Sequence, residues 1–162
     1  MSDQKPSVAG VIAPPPLLLL AAFLLGLALD RLVPVGLVRA VPALPRYGAG
    51  ALLILAATAV AVPAMLLFAR AGTPRAPWRA TTALVTQGVF AHVRNPMYTG
   101  MYLLLAGLAL VLASDWLVAT MIALALVIHF GVVKREERYL LTLFGEDYRA
   151  YMARVPRYGW KF

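Results

Sequence analysis

The chain has 162 residues, of which 62% are hydrophobic and 14% charged, with a net charge of +8 and a mean hydropathy of +0.79. A soluble domain carries about 25% charged residues, so this chain has too little polar surface to cover itself in water, and a single all-α domain built in lipid is expected. It contains no cysteine, which excludes disulfides, thiolate metal sites and a cysteine nucleophile.

Four uncharged runs, 8–29, 47–69, 95–114 and 116–133, mark the membrane spans. Crossing the hydrocarbon core takes about 20 residues, and backbone groups there must bond within their own segment. Four transmembrane helices are therefore expected, at about residues 11–33, 47–69, 96–114 and 116–133. The first run holds Pro14, Pro15 and Pro16, which cannot sit inside a regular helix. Its helix is expected to start at Pro16 and to carry Asp30 and Arg31 near its far end. A cleaved signal peptide is not expected, because Asp3 offsets Lys5 and no small-x-small site follows the leucines. Residues 31–46, with Pro34, Pro42 and Pro45, read as a loop or short interfacial helix. Residues 71–79 read as a turn region, with Trp78 at headgroup depth. Residues 81–94 are too charged at their end to span. Ser114-Asp115 makes a tight turn, so the third and fourth spans are antiparallel neighbours.

The basic residues give the orientation. The N-terminal segment, the second loop and the C-terminal segment share one side, with Lys5, Arg70, Arg75, Arg79, Arg94, Lys134, Arg135, Arg138, Arg149, Arg154, Arg157 and Lys161. The other side has only Arg31, Arg39 and Arg46. The positive-inside rule then puts both termini in the cytoplasm. The positive charge reads as topology and attraction to anionic headgroups, and nucleic-acid binding is not expected because no such motif appears. The composition, rich in Ala, Leu, Val and Arg, suggests a high-GC bacterial source and hence a bacterial inner membrane.

After Val133 the character changes. The fourth helix is expected to continue to Leu143, with Leu140, Leu141 and Phe144 on an apolar face, and to end at Gly145. A second short helix over 146–155 carries Tyr148, Tyr151 and Met152 on one side. By itself this tail reads as an amphipathic anchor in the membrane interface.

Two polar blocks flank the hairpin of the last two spans. One contains Arg94-Asn95-Pro96 and Tyr98, the other Arg135-Glu136-Glu137-Arg138. Asn95 suits an N-cap and Pro96 the first helical position, so the first block could simply start a span. The same helix N-terminus also offers free N–H groups and partial positive charge to an anionic ligand. Glu136 and Glu137 could be solvated flanks paired with Arg135 or Arg138, or site carboxylates. On a regular helix His129, Val132 and Glu136 share a face. His129 lies within a span, where an ionisable group marks either function or a hydrogen bond to a neighbouring helix.

The blocks Leu84-Val85-Thr86-Gln87-Gly88-Val89-Phe90, Val93-Arg94-Asn95-Pro96-Met97-Tyr98-Thr99-Gly100, Glu136-Glu137 and Phe144-Gly145-Glu146-Asp147-Tyr148 with Tyr151 resemble, in that order, the isoprenylcysteine carboxyl methyltransferase family, which is grouped with phospholipid methyltransferases. The likeness runs from about Thr82 to Pro156, with no comparable signature in the first two spans. It implies an integral-membrane enzyme using S-adenosylmethionine in a cytoplasm-facing pocket, with a lipid or other lipophilic acceptor entering from the bilayer and no metal. By the resemblance, Thr82, Ala83, Leu84, Val85, Phe90, Asn95, Pro96, Met97, Tyr98 and Glu136 are cofactor-pocket residues, and Val132 and Arg135 lie where substrate binds. Thr82 stands where the family often has His, and Phe90 where it has Tyr. Val132 stands where some members hold the substrate carboxylate with Arg, so His129, Lys134 or Arg135 would have to replace that cation.

The expected reaction is direct methyl transfer to a lipophilic acceptor, catalysed by alignment and exclusion of water. A carboxylate acceptor needs no base. A phospholipid amine does, and Glu137 or His129 is the candidate. A non-catalytic membrane module keeping the same fold is the alternative. A small transporter with His129 and Asp30 on a proton path lacks repeat symmetry.

Overall fold

The computed structural model describes residues 8–74, 76 and 79–159; Asp3, Lys5, Arg75, Trp78 and Lys161, named above, lie outside them. All regular structure among the described residues is helical. The helices are α1 (Pro15–Leu32), α2 (Ala43–Arg70), α3 (Pro96–Leu112), α4 (Asp115–Ile128) and α5 (Lys134–Arg154). A single 3-10 turn, Gly88–Ala91, interrupts the long connection from α2 to α3. A π turn, His129–Val133, joins α4 to α5.

The helices follow the uncharged runs; among the described residues three are long and apolar enough to cross a membrane, and α3, of 17 residues, is shorter. Two bounds differ from expectation. The first helix starts at Pro15 rather than Pro16, because proline suits the opening positions where its missing N–H is not needed. The second starts at Ala43, so Arg46 lies inside α2 rather than in a loop. It is buried, and its Nη1 donates to the carbonyls of Leu110 at 2.7 Å and Val111 at 3.2 Å. These carbonyls lie in the last turn of α3, where a cation is favoured.

Small residues let the helices approach. α2 packs on α3, where a Cβ on Gly107 would lie 2.8 Å from the Gly50 carbonyl oxygen, and one on Gly100 2.9 Å from Ala61 Cβ. In lipid, where burial of apolar surface gives no drive, such close backbone packing holds helices together. α1 packs on α4, with Gly26 against Leu117 and Thr120.

The turn between α3 and α4 is as tight as expected. Ser114 caps α4, accepting from the Leu117 N–H at 2.9 Å, and also bonds Asp30. The Asp115 carboxylate accepts from the N–H groups of Gly36 at 2.7 Å and Val38 at 2.9 Å, tying down the loop between α1 and α2.

From Asp115 to the bend at Gly145 the chain runs as one helix, about 45 Å at 1.5 Å per residue against about 30 Å of hydrocarbon. Its last turns therefore stand outside the core. Gly145, with φ +54°, bends it in the left-handed region. Beyond the bend, the apolar face of Tyr148, Tyr151 and Val155 packs on Leu84, Leu140, Leu141 and Phe144. This corrects the interface-anchor reading: the face is spent on the protein itself.

Candidate active site

The start of α3 and the first turns of α5 face each other across a cleft. Tyr98, one turn into α3, donates its hydroxyl to Glu136 Oε1 at 2.9 Å. Next to it Glu137, 8% exposed, is held by two guanidiniums. Arg94 Nη1 lies 2.8 Å from its Oε1, while Arg157 reaches Oε1 through Nε at 2.8 Å and Oε2 through Nη2 at 2.7 Å. Charge-assisted bonds of this kind are the strong ones. They hold the Arg157 guanidinium above its ordinary pKa. The segment bearing Arg157 is itself bonded to the start of α3, its Pro156 and Arg157 carbonyls accepting from the N–H groups of Arg94 at 2.9 Å and Asn95 at 3.3 Å.

The two carboxylates are thus differently placed. Glu137 is compensated twice, whereas Glu136 has a neutral phenol for a partner. Burial, with a further push from Glu137, raises Glu136 to about 7, although the Tyr98 hydroxyl works in the opposite direction. Burial likewise pushes the Tyr148 phenol up to about 12.

The cleft holds a cavity of about 90 Å³ that opens to solvent, smaller than the roughly 300–1,000 Å³ of small-molecule sites, so a ligand seated there extends into the open mouth. Ala83, Leu84, Val85, Phe90, Asn95, Pro96, Met97, Tyr98, Glu136 and Glu137 all line it. Four other sequence candidates do not. Thr82 is exposed, with its hydroxyl on the Gly72 carbonyl, and Thr81 takes the wall position. Val132 is fully buried in the core. Arg135 is exposed and donates to the Gly10 carbonyl at 2.9 Å. His129 turns to the Tyr158 hydroxyl at 3.1 Å, the neighbour-bonding role. Of the face expected for His129, Val132 and Glu136, the last two stay on one stripe, and the π turn, which adds a residue to the helical register, leaves His129 off it. Asn95 occupies the N-cap position of α3 but makes no side-chain cap; its Nδ2 donates to the Arg157 carbonyl at 3.2 Å.

Sequence reasoning assigned no site role to Phe68, Tyr139, Tyr148 or Tyr151, which line the cleft, or to Arg157, which braces it. The spacing of Tyr148 and Tyr151 was the available signal, since it puts both on one face. Arg157 lies in an irregular segment and left no periodic trace.

A second, apolar groove opens between the start of α1, α2 and α3. Pro15, Pro16, Ala57, Ala61, Met65, Met101 and Leu104 contribute to its walls. It meets the polar cleft at Ala76, Met97 and Tyr98, which line both.

The sequence matches the phospholipid methyltransferase family over residues 45–147, more than half of the chain. The chain belongs to the phospholipid methyltransferase family. The match begins within α2, so the second span does carry family signal, contrary to the expectation from motifs alone. A stretch of 74 residues, 45% of this chain, is 36% identical to a protein-S-isoprenylcysteine O-methyltransferase of Schizosaccharomyces pombe. That stretch covers 31% of the yeast protein. No solved structure matches the chain. Within the phospholipid methyltransferase match lie the start of α3, both glutamates and the groove residues of α2 and α3.

Proposed function

We propose that this chain is an S-adenosylmethionine-dependent methyltransferase of the membrane, acting at the cytoplasmic face on a lipophilic amine. The observation that carries the reading is the meeting of the two cavities at Met97 and Tyr98. One is polar and holds a carboxylate free of guanidinium. The other is apolar and bounded by spans.

The chemistry of the cleft wall supports binding of the methyl donor. Glu136 offers one negative charge for a cationic ligand. The N-terminus of α3 has no side-chain cap and presents N–H groups to a ligand carboxylate. Arg94 supplies a buried Nε with no hydrogen-bond partner. Phe90, Tyr148 and Tyr151 provide aromatic walls, which favour a cation on their faces. When bound, S-adenosylmethionine supplies an activated methyl group on a sulfonium. The residues of the chain bind, orient and exclude water, which is where alignment-driven catalysis originates.

The acceptor class follows from what the cations do. Arg94 and Arg157 are both engaged by Glu137, and the position of the family arginine is Val132, inside the core. A carboxylate acceptor thus lacks the counter-ion that a polar lipid amine does not need. A protonated amine must instead lose a proton before it attacks, and Glu136, once paired with the cationic cofactor, is not free to receive it. Glu137, locked between guanidiniums, and His129, outside the cleft, are not carried forward as bases. Basic residues concentrated at this end of the bundle support the cytoplasmic orientation.

The test is calorimetric titration of S-adenosylmethionine into the detergent-purified protein and Glu136→Ala, followed by labelled methyl transfer to phosphatidylethanolamine vesicles and to a prenylcysteine. Binding lost in the variant and label in the amine lipid are expected. No binding by folded wild type refutes the cofactor reading, and label in the prenylcysteine alone refutes the amine.

A further inference from the structure

The stripe of α4 that faces the protein runs through Leu117, Thr120, Leu124 and Ile128, all buried. At 3.6 residues per turn it would continue through 131, 135 and 138. An uninterrupted α-helix would then aim Arg135 at the cleft. The π turn at His129–Val133 inserts one residue and moves the stripe to 132, 136 and 139. Val132 and Tyr139 are buried accordingly, Arg135 is exposed, and Glu136 lines the cleft.

The turn is braced from outside the helix. The segment before α1 lies across it: Ile12 N–H donates to the Gly131 carbonyl at 3.2 Å. The Ile12 side chain occupies the space beside Gly131, where an added Cβ would meet its Cδ1 at 2.3 Å and its Cγ1 at 2.8 Å. One turn on, Arg135 Nη1 bonds the Gly10 carbonyl, and Ala9 reaches the wall of the cleft. Three successive contacts thus run from the N-terminal strap, over the register shift, to the site.

We infer that the strap Ala9–Ile12, seated on Gly131, is a positioning device that holds the π register and thereby presents Glu136, rather than Arg135, to the cleft. Ile12 and Gly131 are positioning residues that touch no reactant. The inference rests on the cofactor-site reading of Glu136. A methyl at 131 would push the Ile12 side chain off its seat.

The test uses the full chain in detergent, with S-adenosylmethionine as the probe. Gly131→Ala displaces Ile12 and is expected to raise the cofactor Kd about tenfold, about 1.4 kcal/mol, with the melting temperature little changed. Adding Ile12→Ala makes room for the new methyl and is expected to restore most of the affinity. A merely structural role would not give rescue by a second truncation. Wild-type affinity in Gly131→Ala, or a double variant as weak as the single one, overturns the inference. Failure of wild type to bind is a different result, and overturns the cofactor reading instead.

Discussion

Lowering the pH should weaken cofactor binding through Glu136. In the ligand-free protein burial holds this carboxyl at about 7, so near neutrality half of the molecules carry it protonated. A cationic ligand favours the carboxylate, and binding must then expel the proton. For one such group the apparent Kd scales as one plus ten to the power of pKa minus pH. That factor is about 33 at pH 5.5 and about 2 at pH 7, a change of about sixteenfold, or about 1.6 kcal/mol. Staying at or below pH 7 keeps the ligand's own amino group, near 7.7–8.0, protonated throughout. The groups facing Glu136 are Tyr98 from α3, and Glu137 and Tyr148 from α5, with Glu137 neutralised by Arg94 and Arg157. Calorimetry in buffers of different ionisation enthalpy should register about half a proton released per ligand at pH 7. Glu136→Gln keeps an acceptor for Tyr98 but cannot titrate, so its weaker binding should be flat with pH. The reasoning fails if wild type is flat, or if the variant shows the same slope, which would assign the proton to a histidine.

Stability should move the other way. A carboxyl raised above its unfolded value favours the folded state fully below the unfolded pKa, and that advantage is lost as pH rises through about 7. Glu136→Gln should therefore stabilise the ligand-free protein by up to about 3 kcal/mol at pH 8 and by only about 1 kcal/mol at pH 5, read as a rise in melting temperature that shrinks as the pH falls. Arg94→Ala should cost about 3 kcal/mol, because Glu137 and Arg94 side chains are only 11% and 10% exposed and a buried charge is left short of a partner. Arg157→Ala, with its side chain 33% exposed, should cost less; equal losses in thermal denaturation would contradict the burial argument. Leu104→Trp, which fills the apolar groove, should raise the KM for a lipid acceptor about tenfold and leave the cofactor Kd within about twofold. A shift in the cofactor Kd alone would contradict the division of the two cavities. Gly107→Ala should lower the melting temperature, as its Cβ would meet the immovable Gly50 carbonyl; overpacking of this kind costs about 1–3 kcal/mol.

The spans were legible because lipid forbids charge and unpaired backbone, and both constraints are written residue by residue. The polar blocks were legible as well. Arg94, Asn95, Tyr98 and the two glutamates stand at helix ends, and the short Ser114-Asp115 turn dictates that those ends meet. What could not be read depended on geometry that the sequence does not encode locally. Val132 was assigned to substrate by family resemblance, and in the helix carrying the π turn it lies in the core. Thr82 and Thr81 are chemically alike, and only the path of an irregular loop decides which faces the cleft. Arg46 looked like a loop charge until a longer α2 carried it to the end of α3. The tyrosines of the tail have the pattern of a lipid-facing helix, and the bend at Gly145 turns that pattern back on the protein.

The clamp on Glu137 sets an order of assembly. One of its guanidiniums, Arg94, precedes the hairpin of α3 and α4, while the other, Arg157, follows Glu137 by 20 residues. The clamp is therefore complete only once the segment after α5 has docked, and that same segment closes the backbone bonds to Arg94 and Asn95. This late stretch of chain thus joins both ends of the site, so a change there loosens the site without touching a single residue of the apolar helices.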